Sequence, residues 1–363
     1  MNNNLRRSLH HIEEGLDKLK SAFRRRRGYG NDVLLIAYRG YGNADVISFG
    51  GRVLKDRAIA ETKPDDDIFK NIGRMYKHFG SIELPGVSVN ATYGHITQST
   101  VTNEEGYYKF ELPFHPGVVE NQLWHPINLK LSEGQGFEAS QTAWVQVPLP
   151  NTTFGVISDI DDTIMQTGFA NFLKTITTTF TKNADTRLSF PGVQQLYSGL
   201  QKGCYTYPVN PIFYISNSPW NLYDFLDEFM ELKNIPKGSI ILRDFGLDEE
   251  KLMVDHNHKL NTIAQLLNTY PGLPFILIGD SGEKDPEYYR KIVQQFPSRI
   301  WAIYIRDVSN VKRDEEVRSI VKELESHGVP MILMEDSFMA AEHAASMGWM
   351  DKKDLELVRA YVR

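Results

Sequence analysis

The chain has 363 residues, 41% hydrophobic and 11% aromatic, a composition ordinary for a globular protein and a length that exceeds one typical core. Its single cysteine, Cys204, excludes an intrachain disulfide and predicts a reducing compartment. A net charge of −6 argues against broad nucleic-acid binding, no apolar run of about 18 residues is present to span a bilayer, and the amino terminus has no secretory apolar region, so a soluble cytoplasmic protein is expected.

The charge is unevenly spread. Residues 1–27 sum to +5, with Arg24 to Arg27 in a row, and leave −11 for the remainder. Leu5, Leu9, Ile12, Leu16, Leu19 and Phe23 step by four and three, which predicts a helix with one apolar stripe within residues 1–30. A basic amphipathic helix can lie on an anionic membrane or dock on its own protein, and both remain expectations.

Residues 31–150 read mainly as strands: DVLLIAYR, DVISFGGRVL, GVSVNATY, YYKFELPF, PINLKLS and AWVQVPL, divided by Gly, Asn and Pro. Short antiparallel strands at this spacing predict a β-sandwich domain. Asp65, Asp66 and Asp67 precede a helical pattern and read as a helix cap. From residue 151 to 363 the pattern changes. FGVIS, PIFYIS, SIILRD, FILIGD, IWAIYIRD and PMILME alternate with helical stretches such as WNLYDFLDEFMEL and PEYYRKIVQQF, which predicts an α/β domain with a doubly wound parallel sheet.

The first strand of that domain runs into FGVISDIDDTI, three aspartates within four positions. A calcium loop of the EF-hand kind needs Gly and Glu where Ile164 and Ala170 stand, so that reading fails. An Asp-rich turn capping the next helix is one remaining account. The other is a site where one carboxylate attacks, one handles protons, and a cation neutralises both. In open α/β sheets the ligand crevice lies outside the carboxyl ends of the strands. Those ends deliver Asp159 and Asp161, then Ser216 and Asn217, then Asp280 followed by Asp285, while Lys259 opens the helix before FILIGD. Asp244, Phe245 and Gly246 spell the kinase triplet without its companion motifs. His256 and His258 lack a second ligand pair, and Arg243 and Arg306 follow strands where they could form salt bridges within the sheet ends or meet an acidic substrate.

Asp159, Asp161 and Thr163, then Ser216, Lys259, and Gly279, Asp280 and Asp285 match in order the four motifs of the haloacid dehalogenase superfamily of phosphotransferases. More narrowly, SDIDDTI, YISNSPWNLYDFL, LRDFG, LIGDSGEKDPEYY and AIYIRDV resemble the actin-patch-associated phosphatidate phosphatase family over roughly residues 150–325. The resemblance implies a haloacid dehalogenase-like fold and a Mg²⁺-dependent phosphatase that converts phosphatidate to diacylglycerol through an aspartyl-phosphate. Asp159 would attack, Asp161 would serve as acid and base, and Lys259 would complete the catalytic set. Ser216, Asn217 and Thr163 would bind phosphate. The implied metal set is Asp159, Asp161, Asp280 and Asp285, with Asp161 not engaging through its side chain and a backbone carbonyl contributing. Another phosphomonoester as substrate, or an interaction module carrying an idle phosphatase-like domain, are the alternatives. Loop lengths leave no room for a large cap domain, which suits a bulky substrate such as a lipid headgroup.

Overall fold

The computed structural model describes residues 33–55, 82–115, 122–134, 136, 138–165, 190–243, 257–308 and 311–362. The helix expected within residues 1–30, the Asp65 to Asp67 cap, Asp244 to Gly246 and His256 lie outside them.

The first part is built of strands: β1 (Val33–Ala37), β2 (Gly40–Gly42), β3 (Val46–Lys55), β4 (Ile82–Glu83), β5 (Ser88–Tyr93), β6 (Ile96–Val101), β7 (Tyr107–Pro113), β8 (Trp124–Leu131) and β9 (Ser140–Gln146). Hydrogen bonds join them in the order β1-β3-β2-β9-β8-β5-β6, with β4 and β7 also on β3. Every pairing is antiparallel except that of β2 with β9, so β2 links the two halves of the sheet. Strict alternation along β7 and β8 turns one side chain in two inward. Ile47, Phe49, Phe110 and Leu112 from one half thus share a core with Val89, Ile127, Leu129 and Val145 from the other.

The second part holds a six-stranded, wholly parallel sheet: β10 (Gly155–Asp159), β11 (Ile212–Pro219), β12 (Ser239–Arg243), β13 (Phe275–Asp280), β14 (Ile300–Arg306) and β15 (Met331–Met334). Seven helices accompany it among the described residues: α1 (Val193–Lys202), α2 (Tyr223–Leu232), α3 (His258–Thr269), α4 (Asp285–Gln295), α5 (Val311–Ser326), α6 (Ser337–Ser346) and α7 (Lys352–Val362). All six expected strands are present. They read as unbroken apolar runs because helices cover both faces. Val156, Tyr214, Ile276 and Tyr304 pack on one side with α1, α2, α6 and α7. Ile157, Phe213, Leu277 and Ile303 pack on the other with α3, α4 and α5.

The strand order β12-β11-β10-β13-β14-β15 reverses direction between β10 and β13. Connections leaving these two strands diverge to opposite sides, which opens a crevice at their carboxyl ends. Asp159 ends β10 and Asp280 ends β13.

The two sheets meet through a polar and aromatic seam. Tyr38 stacks on Trp220 and packs at a tilt against Tyr223, and Arg39 forms an ion pair with Asp227. The Gln146 amide donates to the Ile212 carbonyl and the Ser239 hydroxyl, each at 2.8 Å, and that hydroxyl donates to the Gly40 carbonyl at 2.7 Å.

Candidate active site

The chain after β10 turns sharply. Asp162 takes a left-handed backbone conformation (φ 53°), one that aspartate tolerates better than most residues, and the amides of Ile164 and Met165 both donate to the Ile160 carbonyl. This tight turn leaves Asp159, Asp161 and Thr163 buried on the crevice floor.

Asp161 faces β11. Its carboxylate accepts a hydrogen bond from the Ser216 hydroxyl at 2.7 Å, and Ser216 accepts in turn from the Ser218 amide at 2.9 Å. Burial pushes the Asp161 pKa up to about 6, against the opposing effect of the Ser216 hydrogen bond. Asn217 follows on β11, partly exposed.

Asp159 faces Lys259 and the acids of β13 and α4. Lys259 is the second residue of α3, where the helix dipole disfavours a cation, and neighbouring carboxylates hold it there. Its Nζ lies 2.6 Å from Asp159 Oδ1 and donates to Asp285 Oδ1 and Glu283 Oε2, each at 2.9 Å. Burial alone would lower the Lys259 pKa, but the three carboxylates outweigh it and the net direction is upward. Asp285 begins α4 ahead of Pro286, a place that suits both an acid and a proline. Its other oxygen accepts from the Asp280 amide at 3.3 Å. Asp280 Oδ1 accepts from the amides of Gly282 (2.7 Å) and Glu283 (2.9 Å).

Whether a cation fits follows from the oxygens left over. Asp159 Oδ2 and Asp280 Oδ2 are buried without a hydrogen-bond partner, and Asp159 Oδ1 has only its ion pair with Lys259. Asp159, Asp280 and Asp285 can each offer one oxygen with all three within 4.8 Å of one another. Burial raises the pKa of each, that of Asp280 to about 8, because one ammonium does not balance this many acids in a dry pocket. An all-oxygen set of this kind suits a hard divalent cation. The Asp161 side chain lies outside the group, turned to Ser216.

Other residues singled out in the sequence have structural partners. Arg306 is buried, donates to the Thr163 carbonyl and the Ser337 hydroxyl at 3.2 Å each, and lies over the Phe190 ring. It therefore braces the turn after β10. Burial lowers its pKa to about 10. The Thr163 hydroxyl is buried without a partner. His258 is the first residue of α3, and among the described residues no metal-ligating group includes it.

Two residues at the site carry no signal in the sequence. Glu283 stands between the motif acids Asp280 and Asp285 and reaches Lys259. Arg313, on α5, donates to the carbonyls of Ser281 (2.9 Å) and Glu283 (2.7 Å) and forms an ion pair with Glu287. Nothing in an exposed, charged helix marks one arginine as the brace of a distant loop.

Comparison with known proteins covers much of this region. Residues 154–307 match the family model described as phosphatidate phosphatase APP1, catalytic domain. The phosphatidate phosphatase APP1 of Saccharomyces cerevisiae is 33% identical over 223 residues, which is 60% of this chain and 36% of that protein. An uncharacterised protein of Schizosaccharomyces pombe is 28% identical over 217 residues, 58% of this chain and 34% of that protein. The chain thus spans about a third of the length of these curated relatives. The solved structure of DsGPDH of Dunaliella salina reaches a TM-score of only 0.30 at 16% identity, covering 46% of this chain and 33% of that one, which carries no argument about fold. The stretch that matches the phosphatidate phosphatase APP1 catalytic-domain model, residues 154–307, contains Asp159, Asp161, Ser216, Lys259, Asp280 and Asp285.

Proposed function

We propose that the chain is a phosphoric monoester hydrolase that releases phosphate from phosphatidate, with Asp159 as nucleophile and a magnesium ion as cofactor. The observation that carries this reading is the division of labour between two buried aspartates. Asp159 has one oxygen paired with Lys259 and the other, Oδ2, unpartnered, and Asp161 is held by Ser216 in a buried place that raises its pKa. The substrate rests on the family match and on the name of the yeast relative. We further read the six-stranded unit as haloacid dehalogenase-like and the nine-stranded sheet as a sandwich whose layers are joined through β2.

Asp159 Oδ attacks phosphorus in line, and the bond to the leaving alkoxide breaks. Asp161 gives its proton to that alkoxide, which departs as the alcohol of diacylglycerol. Water then attacks the aspartyl-phosphate, Asp161 takes its proton, and phosphate leaves with the Asp159 carboxylate restored. Lys259 neutralises charge on the phosphoryl oxygens, and Ser216 holds the Asp161 carboxylate in place. Asp159, Asp280 and Asp285 would hold the magnesium ion, which supplies positive charge that lets a carboxylate approach an anionic ester.

A phosphate-release screen of the full chain over lipid, peptide, nucleotide and sugar phosphates tests the assignment. Turnover should be highest on phosphatidate, vanish in excess chelator, return with Mg²⁺ and be absent in Asp159→Asn. Unchanged release by that variant would sink the mechanism, and preference for another ester would change the substrate while keeping the chemistry.

A further inference from the structure

We propose that Glu283 is a gate on Lys259, its carboxylate occupying the place that a substrate phosphoryl oxygen takes and leaving when the phosphate arrives. The inference rests on the hydrolase reading above and adds a residue that sets how tightly the site holds phosphate.

An ammonium has three N–H bonds, and three carboxylates surround Lys259 Nζ. A phosphoryl oxygen can reach this nitrogen only if one of them yields. Asp159 and Asp285 cannot, because both are buried and belong to the end of β10 and the first turn of α4. Glu283 is different. Its side chain is 44% exposed, so this ion pair alone of the three opens to solvent. Water competes for the glutamate end of this pair, and a phosphate dianion entering the crevice competes for the Lys259 end.

The backbone around Glu283 constrains how it moves. Its amide donates to Asp280 Oδ1 at 2.9 Å, and its carbonyl accepts from Arg313 at 2.7 Å. Arg313 also holds the Ser281 carbonyl, and its guanidinium is anchored on Glu287. The loop carrying Asp280 and Asp285 is therefore pinned at both sides of Glu283, and release needs only rotation about the glutamate side-chain bonds. The acids that would hold a cation keep their positions while Lys259 changes partner.

The same geometry makes the gate selective. A neutral or weakly anionic molecule gives Lys259 less than Glu283 does, so the pair stays closed. A dianion gives more, at the cost of leaving the displaced carboxylate near its own charge. Removing that charge should tighten phosphate.

The test uses the full chain with Mg²⁺ and inorganic phosphate as probe, comparing wild type with Glu283→Gln and Glu283→Ala by titration calorimetry and, on a soluble phosphomonoester, by product inhibition. Phosphate binding and its inhibition constant should tighten about threefold to tenfold in both variants, with KM shifting the same way. Unchanged or weaker phosphate binding in both variants would overturn the gate, and weaker binding together with a lower kcat would make Glu283 a support for Lys259 instead. Calorimetry reads the gate without turnover. A wild-type chain that hydrolyses no ester would sink the hydrolase reading, whereas turnover with unaltered phosphate affinity in the variants would sink the gate alone.

Discussion

A methyl group at Gly279 would lie 2.5 Å from Asp285 Oδ2 and 2.9 Å from the Tyr289 hydroxyl, closer than real atoms approach. That hydroxyl donates to the Ile278 carbonyl at 2.7 Å and has no room to retreat. Gly279→Ala should therefore displace Asp285 and cost about 10²-fold in kcat, as a misplacement near 1 Å does, with about 1–3 kcal/mol lost to overpacking; phosphate release and urea unfolding check both. Asp161→Asn is the contrasting case. An amide oxygen still accepts from Ser216, so the fold and phosphate affinity should stand, but the side chain no longer exchanges a proton and the rate should fall about 10²- to 10⁴-fold. Steady-state release on a soluble ester, beside an unaltered circular dichroism spectrum, separates these outcomes. At this scale Asp159, Asp280 and Asp285 were legible in the sequence because each ends a strand or opens a helix, and Asp161 because it stands two residues beyond a strand end. Glu283, Arg313 and the true place of Arg306 were not, since their partners come from elements far along the chain.

The elements differ in what fixes them. β10 to β15 each carry a continuous apolar run and stand out in the sequence, while β6 escaped notice because ITQSTV is exposed along most of its length at the edge of its sheet. β2 and β4 escaped because three and two residues carry no period. α2 holds a less visible feature. Burial, then the Asp227 carboxylate, push the Asp224 pKa up to about 6, while Arg52 pulls it the other way. A folded-state pKa above the unfolded one means the folded chain binds the extra proton, so this group favours folding less as pH rises from about 4 to 6 and then levels off. Asp224→Asn should accordingly raise stability at pH 7.5 by about 1 kcal/mol, the helix dipole and the loss of Arg52 trimming the gain. The gain should fade by pH 4.5. Urea unfolding at the two pH values decides it, and an equal gain at both would place its cause elsewhere.

At the scale of the whole molecule, charge divides the chain: +5 over residues 1–27 and −11 beyond them. No helix among the described residues is long and apolar enough to cross a membrane. If the basic segment meets an anionic surface, its lysines and arginines contribute on the order of 1 kcal/mol each, an attraction screened within about 8 Å at physiological ionic strength. Deleting residues 1–27 should then lower binding to phosphatidate vesicles, and turnover on them, while a soluble ester is hydrolysed near normally. Equal loss on both substrates, with a lower melting temperature, would mean that the segment packs on its own protein. This division of charge was legible in the sequence, whereas the seam between the two sheets was not, because Tyr38, Arg39 and Gln146 gain meaning only opposite Trp220, Asp227 and Ser239.

The position of the site at the ends of β10, β11 and β13 has a kinetic corollary. These strands lie in the middle of the parallel sheet, buried on both faces and paired on both edges. Their amide protons should be released to solvent only when the sheet opens as a whole, so deuterium uptake at Val156 to Ser158 and Ile276 to Ile278 should be the slowest in the chain, while Lys284 in the loop beyond exchanges early. Activity should accordingly persist on heating until the tertiary structure itself is lost, the two curves falling together, in contrast to enzymes whose catalytic groups sit on a loop that melts first.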